Sequence, residues 1–260
     1  MNSFRILLKK EARENIRNYK IVWIPIVFIL FGILEPITNH FLPEIMKSVG
    51  NMPEGAEFIW PELQGEDIFI SLLGQYQFIG LLVIILAFMG SISGERKSGT
   101  ATLLYVRPIS FWSYFLSKWI VINAIVLGSV WLGFMASWYY IEVLFNSVDV
   151  RHVLLFLTTY SLSILFVVTI VLVLSASLPT GAAAGVAIVI TLVFQIIDSL
   201  LGRYWWISPW KLPLYAAQWF QGDINMQHFW LTISVTILLI IGLILFGITM
   251  SKHNSAKTTV

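Results

Sequence analysis

The chain has 260 residues, of which 58% are hydrophobic and 12% charged, with a net charge of +2 and a mean hydropathy of +0.82. A soluble domain carries about 45–50% apolar and about 25% charged residues, so the chain reads as a polytopic membrane protein; its small net charge speaks against a nucleic-acid partner. Cysteine is absent, which excludes disulfides, thiolate metal ligands and thiol catalysis.

Residues 1–20 read as an amphipathic interfacial helix. Phe4, Leu7, Leu8, Ala12, Ile16 and Tyr19 follow helical spacing, with Lys9, Lys10, Arg13, Arg17 and Lys20 opposite. This stretch is too charged for the apolar region of a secretory signal. Six apolar segments follow, at roughly 21–42, 69–93, 117–142, 153–178, 181–202 and 229–250, each supplying the roughly 20 residues a span requires. The expected fold is an all-α membrane protein, with a six-span domain over 21–250 and a short polar tail at 251–260. Pro179 makes Leu178–Thr180 a tight hairpin between the fourth and fifth spans. Residues 43–68 are acidic and rich in Pro and Gly. Residues 203–228 hold seven aromatics between Tyr204 and Phe220, and read as a broken, re-entrant segment interrupted at Pro209 and Pro213.

With six spans both termini share a side. That side carries twelve of the 16 Lys and Arg, leaving only Lys47, Arg151, Arg203 and Lys211 opposite. The positive-inside rule then makes both termini cytoplasmic. Residues 94–118 fall on the same side and gather Glu95, Arg96, Lys97, Arg107 and Lys118. No phosphate-cradling Gly-x-x-x-x-Gly-Lys-Ser/Thr occurs, nor a His-Glu-x-x-His or Gly-x-Ser-x-Gly. The chain carries no catalytic or metal-binding constellation, so any work it performs draws on a partner or an ion gradient.

The 94–118 segment resembles the cytoplasmic loop of type-2 ABC transporter permeases. The likeness rests on Glu95-Arg96, Gly99-Thr100, Leu103-Leu104, Pro108-Ile109-Ser110 and Lys118. It extends to the N-terminal helix, the six spans and Ser208-Pro209 before the last span. Lys97-Ser98 is more basic than the family's common acidic variants. The resemblance implies a permease subunit of a bacterial ABC exporter in the cytoplasmic membrane. It also implies a separate ABC ATPase that binds ATP and Mg, and a second permease copy, identical or related. Glu95, Arg96, Gly99, Thr100, Leu103 and Leu104 would then form the ATPase-coupling element, with Thr100 as a helix N-cap.

Ionisable groups within a span are costly and read as functional. Glu35, followed by Pro36, lies after fourteen mostly apolar residues, about 21 Å of helix. Gln75, Gln77, Gln195 and Asp198 are expected at similar depth, so the five are candidates for a translocation path. Gly181 and Gly185 form a small-xxx-small patch suited to close helix packing, between copies or within one. The apolar spans favour an amphipathic or lipophilic cargo such as a peptide, drug or lipid. The competing readings are an ion-driven secondary transporter, a sodium-exporting ABC permease and a non-transporting immunity or scaffold protein.

Overall fold

The computed structural model describes residues 3–49, 63–100, 110–202, 204–222 and 224–256, which are helical throughout their ordered elements. Helix α1 is Ser3–Arg17 and α2 is Lys20–Val49. The second span comprises α3 (Gly65–Gln75), a π-helical turn (Tyr76–Gly80), α4 (Leu81–Phe88) and α5 (Ser93–Lys97). Helix α6 is Phe111–Leu144, α7 is Val150–Ser177 and α8 is Thr180–Leu201. A 3₁₀ turn at Pro209–Lys211 leads into α9 (Leu212–Gln221), and α10 is Met226–Ala256. Among the described residues six stretches are long and apolar enough to cross a membrane: Lys20–Ile45, Gly65–Lys97, Phe111–Leu144, Val150–Ser177, Thr180–Leu201 and Met226–Asn254. This is the six-span, all-α architecture expected from the sequence.

The second span departs from a simple rod. The sequence reads it as one continuous helix, yet α4 ends at Phe88 and the chain turns through Met89–Ile92 before α5. Ser91 N–H bonds the Phe88 carbonyl at 3.0 Å, a tighter turn than the α-helix allows. The Ala87 carbonyl accepts instead from Lys20 Nζ at 2.6 Å. A freed carbonyl at the edge of a bilayer needs such a donor.

Three stretches make the core. Two-thirds of the α7 span window is buried, against 17% for α8 and 22% for α2. Phe69, Tyr76, Phe134 and Phe156 pack edge-on or stacked, with Phe134 ring centroids 4.8 Å from Tyr76 and 5.0 Å from Phe156. Indole N–H groups pin α6 to α7, Trp119 to Thr169 and Trp131 to Ser161, both at 2.8 Å. Helices α2 and α6 touch backbone to backbone. A Cβ on Gly32 would lie 2.0 Å from the Gly133 carbonyl oxygen, and one on Gly133 would lie 2.0 Å from the Tyr76 hydroxyl. Glycine is what lets Tyr76 reach across and bond the Phe28 carbonyl at 2.6 Å.

The aromatic segment after α8 begins with a single break. Ser208 caps the 3₁₀ turn and Pro213 lies in the first turn of α9, where a missing N–H costs nothing. Pro213 therefore starts this helix rather than interrupting it. Helix α9 lies along α7, its Trp219 bonding Thr159 at 3.0 Å, nine residues in from Val150.

Candidate functional site: the junction of helices at the terminal end

Helix α5 meets α1, α6 and α7 at the end of the bundle where α1 and the last turns of α10 also lie. Its N-terminus has no capping side chain of its own. Ser175, fully buried in the last turn of α7, supplies the acceptor from across the chain. Its hydroxyl takes the N–H of Ile92 at 3.0 Å and of Ser93 at 3.1 Å. Arg96 answers from α5. Its guanidinium donates to the Ala176 carbonyl, to Leu178 O at 2.7 Å and to Ser175 O at 3.3 Å. These are carbonyls that α7 leaves without helical partners at its C-terminus, where a cation is also favoured by the helix dipole. Asn254 of α10 adds a bond to Ala176 O at 2.9 Å, and Ser93 Oγ lies 2.8 Å from Thr180 Oγ1 at the start of α8.

The second part of the junction is ionic. Helix α1 turns Leu7, Glu11 and Asn15 inward, one helical turn apart. Both carboxylate oxygens of Glu11 accept from Lys118 Nζ at 2.9 Å, and Lys118 also reaches Glu95 at 3.0 Å. Lys10 joins Glu11, Glu14 and Glu95, while Tyr114 donates to Glu95 Oε2 at 2.6 Å. The side chain of Lys118 is 1% exposed, that of Glu11 4% and that of Glu95 8%. Burial works against the Lys10 ammonium, but Glu11 and Glu95 outweigh it and hold the group above the ordinary lysine pKa. The carboxylates of Glu11, Glu14 and Glu95 converge within 4.8 Å, and the two ammonium groups among them supply the counter-charge.

Beyond this junction the chain becomes exposed. Gly99 takes a positive φ of 75° and closes α5, a conformation that favours glycine. Lys97, Ser98, Gly99 and Thr100 all face outward, and the Ser98 hydroxyl lies 2.9 Å from that of Thr100. A cleft of about 650 Å³ opens beside them, lined by Lys10, Arg13, Glu14, Arg17, Glu95 and Thr100 among others. Leu103 and Leu104 lie outside the described residues.

The residues expected to form a coupling element thus separate into two kinds. Glu95 and Arg96 point into the protein and tie helices together, whereas Gly99 and Thr100 are presented to the surface. Sequence reading did not single out Glu11, Tyr114 or Ser175. Glu11 had a signal: it continues the inward stripe of Leu7 and Asn15, and buried Lys118 needs a counter-charge. Ser175 had none, because its partners lie more than 80 residues away.

Four of the five candidate path residues fall into three separate contacts at the opposite end. Half-buried Glu35 accepts from Ser71 of α3 and, at 3.1 Å, from Asn39. Gln195 bonds the Gln77 carbonyl in the π-helical turn at 3.2 Å. Asp198 lies 3.5 Å from Lys211. Gln75, Gln195 and Asp198 each keep a buried oxygen that no described residue satisfies. Among the described residues no hydrogen bond or ion pair joins Glu35 to the other four. Gly181 and Gly185 are exposed, with open space where a Cβ would stand, so neither packs tightly within this chain.

Residues 5–210 match the model of the ABC-2 family transporter protein. The chain belongs to the ABC-2 family. It is an integral membrane protein and the membrane component of an ABC transporter. A relative supports the kinship. The uncharacterized transmembrane protein YxlG of Bacillus subtilis (strain 168) is 30% identical over 199 residues, spanning 75% of this chain and 77% of the relative.

Proposed function

We propose that this ABC-2 protein is the permease subunit of an ATP-driven exporter that moves an amphipathic or lipophilic cargo outward. A separate ABC ATPase subunit, which binds ATP and Mg, docks on residues 94–118 and supplies the energy. A second permease copy, identical or related, completes the pathway in the bacterial cytoplasmic membrane, with both termini in the cytoplasm.

The observation that carries this reading is the junction itself. Helix α5 is fastened at its N-terminus by Ser175, along its length by Glu95 to α1 and α6, and through Arg96 to the end of α7. A push on exposed Gly99-Thr100 would reach three spans and α1 through short, buried, charged contacts. The basic rim of the adjoining cleft, Lys10, Arg13 and Arg17, suits an acidic surface on the ATPase. Pairing of two copies is supported by the thinly buried α2 and α8 and by the open faces at Gly181 and Gly185, which permit close helix approach.

Affinity purification of the tagged chain from its native cells in mild detergent tests the proposal. An ABC ATPase subunit should co-purify and bring ATP hydrolysis that the chain alone lacks. Recovery of an intact complex with no ATPase subunit in it would overturn the reading.

A further inference from the structure

The end of the bundle opposite the junction holds a cavity of about 250 Å³, lined by Trp206, Lys211, Tyr215, Gln218, Asn225 and His228. Its chemistry is unusual for a surface dimple. The Lys211 side chain is 8% exposed, and among the described residues its one ion-pair partner is Asp198 at 3.5 Å. An ammonium has three N–H donors, so one carboxylate at that distance leaves donors to be filled. Gln218 Oε1 is buried and receives no hydrogen bond from any described residue. A buried polar atom without a partner is costly, and a ligand that supplies one removes the cost. Gly202 keeps the ammonium clear, since a Cβ there would lie 2.9 Å from Lys211 Nζ.

A second, more open groove of about 550 Å³ adjoins the first. Leu201, Tyr204, Trp205, Ile207 and Leu231 line it. The two spaces share Trp206 and His228, whose rings meet edge-on with centroids 4.6 Å apart. The inner cavity is smaller than the roughly 300–1,000 Å³ of pockets that hold a whole drug-sized ligand. It has room for a polar head, and the groove for an apolar remainder. Both lie where α8 ends at Leu201 and α10 begins at Met226, the level at which hydrocarbon gives way to head groups.

Charge decides the class of head. Lys211 and Asp198 cancel, so an anionic head gains from one what it loses to the other. A zwitterionic head escapes that loss, because its phosphate meets the remaining Lys211 donors and its ammonium meets the Gln218 oxygen, away from Asp198. We propose that the cavity binds a zwitterionic phospholipid. Its phosphate lies on Lys211 Nζ and its ammonium lies toward Gln218 Oε1 and the ring of Trp206, a cation–π partner. Its acyl chain follows the groove between Leu201 and Leu231. This is a resident lipid, separate from the proposed ATP-driven transport, and its test uses no ATP.

The purified protein in detergent is offered equal amounts of phosphatidylethanolamine and phosphatidylglycerol with the same acyl chains, and bound lipid is read by native mass spectrometry. Phosphatidylethanolamine should be retained about fivefold over phosphatidylglycerol, equivalent to about 1 kcal/mol. Gln218→Leu should bring the two lipids to parity. So should the double substitution Asp198→Asn with Lys211→Met, which removes both charges together and so leaves no buried carboxylate alone. Trp112→Ala, an exposed aromatic at the far end of α6, serves as control and should keep the preference. Equal retention by the native protein overturns the proposal. So does a preference that survives in both cavity variants, or one that is lost in Trp112→Ala.

Discussion

Ser175 and Arg96 cap each other's helices. The Ser175 hydroxyl holds the two N–H groups that open α5, and the Arg96 guanidinium, one turn into α5, holds the carbonyls that close α7 around Ser175 itself. Each residue satisfies backbone groups the other's helix leaves bare, so neither end is stable in this form without its partner. Placed where a span meets the loop that leads to Gly99-Thr100, the exchange makes α5 and the end of α7 one mechanical unit.

The first prediction follows directly. Ser175→Ala leaves two buried N–H groups without an acceptor and should destabilise the protein by about 1–3 kcal/mol. Arg96→Met leaves the Ser175 and Leu178 carbonyls without their donor, Ala176 keeping Asn254, and should cost a similar amount. Because the two act on one junction, the double variant should lose clearly less than the sum, with a coupling of about 0.5–3 kcal/mol. Unfolding of the four proteins in a denaturing-detergent titration measures this; strict additivity would show that the two caps are independent.

Lys118 should be the most sensitive charge in the chain. Lys118→Met buries Glu11 and Glu95 with only Lys10 to answer them, and breaking a buried pair in this way costs about 3–5 kcal/mol. Adding Glu11→Gln should recover part of the loss, since it removes the stranded charge. For Lys10 the sign is set by its raised pKa. A group raised on folding contributes stability below its unfolded pKa of about 10.4 and loses it only as pH climbs through the folded value. The melting difference between native protein and Lys10→Met should therefore stay level from about pH 6 to about pH 9.

Gly133→Ala should be among the worst small substitutions in the membrane region. Its methyl group would collide with the Tyr76 hydroxyl and the Phe28 carbonyl. Overpacking of this kind costs about 1–3 kcal/mol and would also break the Tyr76–Phe28 hydrogen bond. Gly181→Ala, with open space about it, should leave the melting temperature of the single chain unchanged.

The cysteine-free background allows a clean covalent test of the unit. Ser93 and Thr180 have their hydroxyls 2.8 Å apart, so Ser93→Cys with Thr180→Cys should form a disulfide on mild oxidation. If α5 and the α7–α8 turn move together, the cross-linked protein transports as well as the reduced one. Loss of transport that returns on reduction would show that the two separate during the cycle.

The sequence made much of this legible, and the reasons for the remainder are specific. Six apolar runs of sufficient length define the spans, and the expected hairpin falls at Pro179, which stands just before Thr180 at the start of α8, where its missing N–H costs nothing. The break at Met89–Ile92 lies inside an apolar run with only Gly90 and Ser91 to hint at it. What makes it tolerable is Lys20 and Ser175, both distant in sequence. The Glu95-Arg96 pair stands out by motif, but no local pattern reveals that its side chains turn inward to Lys10, Lys118 and α7. Likewise, the polar residues Glu35, Gln77, Gln195 and Asp198 were read from depth alone, whereas their neighbours Ser71, the π-helical turn and Lys211 come from other segments.

The central claim is that the surface beside α5 receives an ATPase subunit. Site-specific incorporation of a photo-crosslinking amino acid at Thr100, with the exposed Tyr204 at the opposite end as control, tests it most directly. Irradiation of membranes from native cells should join the Thr100 variant, and not the Tyr204 variant, to a nucleotide-binding ATPase subunit identified by mass spectrometry. Capture of the ATPase from Tyr204 alone, or an ATPase-containing complex that yields no cross-link from Thr100, would contradict the account.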